Sequence, residues 1–401
     1  MSYIPSWEDR RVAAEECLIP WIESAIPLTG KTILEYGCGA GPVSAAFAQR
    51  VARHIGYDID AAVIAGGQEQ LAELGISNVE LHHAPVASIF SAVREHAGEI
   101  DVFVLYAVLE HMNVAERLEV LELARQVVRP GGAIVICETP NRLILWDWHS
   151  SQAPFMAQLP DELALRYYDR TPRQDFIDTI GAGLAQSWED GQEALTRFGR
   201  GMSYHELELV FGDLSRHVLA SNWEPELFSH RDVHPEEVAL ARMMDQVRPD
   251  LAPAFSRYWL DVVLSVSPIA EPPPMMRPWP MHTMASPGAQ WTGVETVRLA
   301  SADVPLVATL PAPTDRVVVG VLPEIPGPVT ISVAGQNGET ARETVDCSGP
   351  NWAHATFDLE AQTQTVTVSL SPAGQVTFLG YVPGGRRKTA PRRRRFWRRR
   401  R

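Results

Sequence analysis

The sequence predicts an α/β protein with a second, all-β part. A parallel sheet wound with helices and carrying a helical insertion at about 141–200 is expected over residues 1–270, a small antiparallel β-sandwich over 291–383, and a basic, disordered tail over 384–401. Three observations carry this. Between Thr32 and Glu138 short β-branched runs alternate with longer amphipathic stretches. A proline-crowded, aperiodic stretch from Glu271-Pro272-Pro273-Pro274 through Pro287 then interrupts the chain, marking 271–290 as a linker. Beyond it come short alternating runs separated by Gly, Pro and Asn.

The first strands are expected at Thr32–Tyr36, His54–Tyr57, Val79–His83, Asp101–Tyr106 and Ala133–Glu138. Helices are expected near Pro42–Arg50, Ala61–Leu74, Ala87–His96 and Val114–Val128, with one more near Val12–Ala25 ahead of the first strand. Arg129-Pro130-Gly131-Gly132 stops the helix before the fifth strand. Further on, Ser203–Phe211 and Pro235–Val247 read as helices, and His217–Ala220 and Tyr258–Val266 as strands that close the sheet. Asn141–Arg200, rich in Trp, Arg and Asp, is too long for a simple connection and reads as a helical cover. In the last part, strands are expected at Val294–Leu299, Val317–Leu322, Val329–Val333, Ala353–Leu359, Thr363–Leu370 and Gln375–Val382.

At 401 residues with 45% hydrophobic and 21% charged residues, the chain has the balance of an ordinary globular protein and no apolar run of spanning length. The four cysteines, Cys17, Cys38, Cys137 and Cys347, form no CxxC pair, which fits buried thiols in a reducing compartment. With no secretory pattern at the start, the expected location is the cytoplasm. Net charge is −14, yet Arg386, Arg387, Lys388, Arg392 to Arg395 and Arg398 to Arg401 are all basic. An acidic body with such a tail disfavours nucleic acid as the main partner and suits attachment to an anionic membrane face, with Phe396 and Trp397 entering the interface.

The chemistry concentrates at Ile33-Leu34-Glu35-Tyr36-Gly37-Cys38-Gly39-Ala40-Gly41-Pro42, a buried strand ending in a glycine-rich turn that opens a helix. Alternate glycines let backbone pass beneath a ligand, and Pro42 suits a first helical position. The spacing is GxGxG, not the GxGxxG that holds a pyrophosphate on a helix N-terminus. Glu35 would repel a pyrophosphate and suit a cationic amino group. Asp58, at the end of the next strand, is placed to accept both hydroxyls of a ribose.

With Asp101-Val102-Phe103-Val104-Leu105-Tyr106-Ala107-Val108-Leu109-Glu110-His111 and Arg129-Pro130-Gly131-Gly132, these motifs resemble the class I S-adenosylmethionine (SAM)-dependent methyltransferases of the type 11/12 kind. The resemblance implies a Rossmann-like domain with SAM as cofactor. It places Glu35, Tyr36, Gly37, Cys38 and Gly39 at the methionine and ribose end, Asp58 on the ribose, Ile59 on one adenine face and Tyr106 beside the cofactor. At the end of the third strand the family carries an Asp that reaches adenine; here His83 holds that place.

Methyl transfer is an in-line displacement accelerated by near-attack positioning. His111, following Glu110 after the fourth strand, is the expected base for an acceptor that must lose a proton, and it equally suits a packing role tying the loop to the next helix. No carboxylate constellation at the strand ends points to a metal, so a metal-independent reaction is expected. Glu138 to Arg142, Trp146-Asp147-Trp148-His149 and Gly199 to His205 resemble bacterial methyltransferases associated with glycan and surface-polysaccharide synthesis. The expected acceptor is accordingly an oxygen of a sugar or glycan-like molecule. A small-metabolite O- or N-methyltransferase acting on a quinone precursor, and a non-catalytic SAM-binding scaffold, are the other readings.

Overall fold

A computed structural model describes residues 6–228, 233–279, 290–291, 297–298, 305–323, 325–348 and 353–384. The chain divides into two units, Met1–Pro280 and Met281–Arg401.

The first unit opens with α1 (Trp7–Ala13), a π-turn over Ala14–Leu18, and α2 (Ile19–Ala25). The helix starts earlier than the expected Val12 because Ser6 and Asp9 form a reciprocal capping box at its N-terminus. There follow β1 (Thr32–Tyr36), α3 (Pro42–Phe47), β2 (Arg53–Asp58), α4 (Ala61–Glu73), β3 (Val79–His83), α5 (Val86–Arg94), β4 (Ile100–Tyr106), α6 (Val114–Val127) and β5 (Val128–Cys137). Asp60 caps α4, and Asn113 with Glu116 caps α6. β5 begins earlier than the expected Ala133. Its ladder with β4 shifts register between Ile100 and Val102, which absorbs Arg129 to Gly132 into the strand, exposed as far as Gly131.

Residues 141–200 correct the expectation of a wholly helical cover. The segment first makes a short antiparallel pair, β6 (Trp146–Asp147) with β7 (Ala153–Pro154), and only then α7 (Asp161–Tyr167), α8 (Gln174–Leu184) and α9 (Trp188–Phe198). The carboxylate of Asp147 prevents helix by accepting from the backbone N–H of Ser150 at 2.9 Å and of Ser151 at 3.1 Å. The helices close on a small core that includes Met156, Leu165, Phe176, Ile180 and Leu195.

After α10 (Tyr204–Phe211) come β8 (Val218–Ser221), α11 (Pro225–Phe228), α12 (Pro235–Val247), β9 (Val262–Ser265) and β10 (Arg277–Pro278). The strand expected from Tyr258 starts only at Val262. Upstream, Asn141 Nδ2 donates to the carbonyls of Phe255 (2.8 Å) and Arg257 (2.9 Å) and holds that backbone out of the ladder.

The sheet order is β3-β2-β1-β4-β5-β9-β8, parallel from β3 to β5, with β9 antiparallel to both β5 and β8. The central strands are buried on both faces, as parallel strands covered by helices must be. One face packs against α5 and α6 through Leu34, Phe103, Leu105, Leu121 and Ile134. The other, through Ile33, Val102, Val104 and Val135, packs against Trp21, Ile22 and Phe47. Among the described residues no helix is long and apolar enough to cross a membrane.

The second unit contains β11 (Gln290–Trp291), β12 (Val297–Arg298), β13 (Leu306–Pro323), β14 (Gly327–Ala334), β15 (Thr340–Cys347), β16 (Ala353–Ser371) and β17 (Gly374–Tyr381). They follow one antiparallel hydrogen-bonded path, β11-β12-β17-β13-β16-β14-β15, an all-β region as expected. The expected strands Ala353–Leu359 and Thr363–Leu370 are one strand, paired along β13 with register shifts between Thr309 and Arg316. β15 escaped the sequence reading because most of its residues are exposed and polar on both faces. Most of the expected linker after residue 279 and of the strand Val294–Leu299, and the basic tail from 385, lie outside the described residues.

Candidate functional site

Strand order reverses between β1 and β4, and it is at the carboxyl ends of the strands at such a switch point that open α/β sheets form their ligand crevice. There lies the turn from Gly37 to Gly41. The N–H groups of Gly37 (2.8 Å) and Cys38 (3.1 Å) donate to the carbonyl of Tyr57, that of Gly41 to Cys38 O (3.0 Å), and that of Gly39 to Asp58 Oδ2 (2.8 Å). A pyrophosphate site needs such amides free; here the edge of β2 and the turn itself occupy them. At Gly37, with φ +76, a Cβ would stand 2.5 Å from Val108 Cγ2, whereas at Gly39, with φ +54, it would meet nothing within 4 Å. The turn is thus closed toward the β4 loop and bare above Gly39.

The expected cofactor residues occupy distinct places around it. Glu35 lies beneath the turn, 1% exposed, accepting from Ser44 Oγ at 2.6 Å and 3.4 Å from His54 Nε2. Burial, opposed by the Ser44 hydrogen bond and reinforced by the charge of Asp58, pushes its carboxyl up to about 8, and the same burial pushes His54 down to about 3. Tyr36 points away from the crevice, its ring stacked between Phe90 (6.1 Å) and Phe103 (6.5 Å), and burial raises its hydroxyl to about 12. Cys38 packs inward with Ala45, Ile64 and Leu81, and burial pushes its thiol far up. Those two side chains are turned into the core, and only their backbone lies along the turn. Asp58 Oδ1 accepts from the N–H of Asp60 at 2.9 Å, and each of its oxygens keeps a lone pair for a further donor. Ile59 is 54% exposed, an apolar side chain left uncovered at the crevice. His83 is exposed opposite Asp58 in the β2–β3 register, and Tyr106 ends β4 opposite Cys137.

Beyond Val108 the chain makes a 3-10 turn, Leu109–His111. Glu110 is 1% exposed, and its Oε2 has no hydrogen-bond partner among the described residues. His111 is half-exposed. Its Nδ1 lies 2.9 Å from the carbonyl of Arg197, which can only accept, so Nδ1 carries the ring proton and Nε2, 3.8 Å from Glu110 Oε1, carries a lone pair. His149 arrives from the β6–β7 loop, its ring centroid 6.0 Å from that of His111. Its Nδ1 is 3.1 Å from Ser150 Oγ, which gives its own proton to Gly199 O at 2.5 Å. Ser150 therefore accepts from His149, and His149 Nε2 also carries a lone pair. One ligand-type atom on each of Glu110, His111 and His149 lies within 4.8 Å of the other two.

Burial raises the Glu110 carboxyl to about 8, with the charge of Glu138 adding to it, and lowers His149 to about 4 and His111 below its usual value. Burial thus favours the neutral form of both imidazoles.

The surroundings hold this group tightly. Arg197 Nη1 donates to His111 O (2.7 Å) and to Glu116 (2.9 Å), and Arg200 N donates to Glu110 O (2.8 Å), so the segment ending α9 is latched onto the turn. At Gly199, φ +129, a Cβ would fall 2.6 Å from His149 Cε1. Ala107 and Glu138, at the ends of β4 and β5, sit at φ +49 and +54, a strain on the order of 1–3 kcal/mol each. Beside the group, Trp148 is 44% exposed, stacks on His234 (5.5 Å) and meets Trp146 in a tilted contact (5.3 Å). Sequence reasoning had singled out Glu110, His111 and the Trp146–His149 stretch separately. It did not place His149 beside His111, and nothing in a spacing of 38 residues signals that contact.

Residues 33–132 match the model of a methyltransferase domain. The chain is 35% identical over 124 residues to a ubiquinone biosynthesis O-methyltransferase of Aromatoleum aromaticum, covering 31% of this chain and 50% of that protein. It is 32% identical over 123 residues to one of Acinetobacter baumannii, covering 30% and 49%. The chain thus spans about half the length of the curated relatives it matches. A magnesium protoporphyrin IX methyltransferase of Synechocystis, solved with bound SAM, is similar at 19% identity and TM-score 0.28 over 33% of this chain and 60% of that one.

Proposed function

We propose that the chain, whose residues 33–132 match a methyltransferase domain, transfers the methyl group of SAM to a hydroxyl oxygen of a small acceptor, a sugar or glycan-like molecule in the first instance. The observation that carries the cofactor half is the saturated, bare turn. Its amides are engaged at Gly37, Cys38, Gly39 and Gly41, so it suits a nucleoside without phosphates. SAM's methionine lies over Gly37 to Gly39, Asp58 takes the ribose hydroxyls with its remaining lone pairs, Ile59 covers the adenine, His83 stands at the adenine edge, and Tyr106 lies beside the sulfonium.

Val108, packed over Gly37, carries the chain from this turn into Glu110 and His111, so the acceptor site adjoins the methyl group. There the acceptor hydroxyl gives its proton to His111 Nε2 and its oxygen attacks the methyl carbon as the S–CH3 bond breaks, leaving S-adenosylhomocysteine. The exposed part of Trp148 offers an apolar surface to a sugar ring.

A second reading is favoured by the relatives in Aromatoleum and Acinetobacter: a small aromatic hydroxyl acceptor stacked on the same tryptophan. Labelled methyl transfer from SAM into a panel of sugars and of phenols separates the two. Label in sugars alone supports the first, and label in phenols alone replaces it with the second. The basic residues 386–401 are proposed to hold the protein at an anionic membrane face; truncation after 384 is expected to abolish sedimentation with anionic liposomes, and binding that survives would place the contact elsewhere.

A further inference from the structure

We propose that Glu110, His111 and His149 together bind one divalent transition-metal cation of the Zn2+ or Fe2+ class, on the acceptor side of the cofactor turn. The inference rests on the methyl-transfer reading for its place in catalysis and on geometry alone for its existence.

Four features support the site. One ligand-type atom from each residue lies within 4.8 Å of the others, and these residues come from two distant segments, so the meeting is a product of folding. Both imidazoles are held as the tautomer a metal requires, with Nδ1–H directed to Arg197 O in one and to Ser150 Oγ in the other. Such hydrogen bonds behind the ring orient histidine ligands and raise their basicity. The third member, Glu110, is 1% exposed, and its Oε2 finds no partner among the described residues. A buried carboxyl oxygen left unpaired costs on the order of 1–3 kcal/mol, and a cation that replaces the proton removes that cost. Finally, Gly199 leaves the space in which the His149 ring stands.

Ligand atoms around a tetrahedral Zn2+ stand about 3.3 Å apart. The 3.8 Å between His111 Nε2 and Glu110 Oε1, in a group whose ligand atoms all lie within 4.8 Å of one another, therefore closes on binding by rotation of the side chains. Two imidazoles with one carboxylate select a borderline ion over Mg2+ or Ca2+, which prefer all-oxygen sites. Three protein ligands leave at least one position open, and an acceptor hydroxyl bound there would be acidified by the cation and placed toward the methyl group. His111 then serves as a ligand, and the acceptor's proton passes to solvent.

The test uses the untagged full chain, freed of metal by chelator and titrated with CoCl2 in the absence of SAM. Visible d–d bands saturating at one equivalent are expected, and they should be lost in His111→Ala and in His149→Ala. Ser150→Ala keeps all three ligands but removes the group that fixes the His149 tautomer; it is expected to retain the bands at saturation while weakening Co2+ about 10- to 100-fold. His111→Ala removes a half-exposed ring, so it keeps the test decisive if His149→Ala does not fold. Absent bands, or bands unchanged in the histidine variants, would overturn the site. SAM titration of the metal-free protein separates the two readings. SAM binding without cobalt bands sinks the metal site alone, and cobalt bands without SAM binding sink the methyl-transfer reading alone.

Discussion

Gly39 donates its amide hydrogen to Asp58 Oδ2 at 2.8 Å, so the carboxylate at the end of β2 holds the turn between β1 and α3 in shape while its remaining lone pairs face the crevice. Asp58→Ala removes both the brace and the ribose partner. Hydrogen bonds to a charged group contribute about 1.5–3 kcal/mol each, and SAM affinity is expected to fall at least tenfold by isothermal titration. Unchanged affinity would refute the assignment of Asp58.

Gly37→Ala is expected to damage both halves of the site. The residue sits at φ +76, and the new Cβ would stand 2.5 Å from Val108 Cγ2. We expect a lowered melting temperature and weakened SAM binding, with Val108→Ala as a second change restoring part of the loss. The clash is relieved in the double variant, and the left-handed strain, on the order of 1 kcal/mol or more, stays.

Arg197 reaches from α9 to His111 O and to the carboxylate of Glu116. It is 44% exposed, so its ion pair adds at most about 1 kcal/mol to stability. Its effect should instead fall on the acceptor side: Arg197→Ala is expected to raise the acceptor KM severalfold with SAM affinity and melting temperature nearly unchanged. A loss of SAM binding of the same size would contradict the latch.

His54 is fully enclosed, with neither ring nitrogen hydrogen-bonded among the described residues, and burial lowers its pKa from 6.5 to about 3. Its folded pKa is depressed, so between 6.5 and 3 the unfolded chain binds a proton that the folded one refuses. Its contribution is present above pH 6.5 and is lost as pH falls toward 3, with a slope of at most about 1.4 kcal/mol per pH unit. Glu35, raised by burial from 4.5 to about 8, is protonated in the folded protein below that value and offers no compensating anion. Its own contribution has the opposite sign, present below 4.5 and lost as pH rises through 8. His54→Phe, beside Phe47, should flatten the acid limb of the denaturation midpoint against pH; an unaltered limb would show that His54 is not its source.

The α/β unit was legible because its signals are local. β1 and β3 occupy the residues that periodicity marked, and α12 the expected Pro235–Val247, since a largely apolar buried strand, an alternating edge strand and a capped amphipathic helix each carry their signal locally. The misplaced elements answer to distant partners. The entry of β5 is set by its ladder with β4, the residues before β9 by Asn141, and the continuity of β16 by eighteen residues of β13 alongside it.

The order of residues alone determined the turn of three glycines with an acidic residue on either side, because backbone torsion and close approach depend on residue type over a few positions. Only the tertiary structure decided what those residues face: Glu35 is enclosed beneath the turn, the Tyr36 ring is directed into the core, and Glu110 and His111 are met by His149. A side chain's direction and company follow from packing between elements far apart in the chain, and no run of sequence carries that distance.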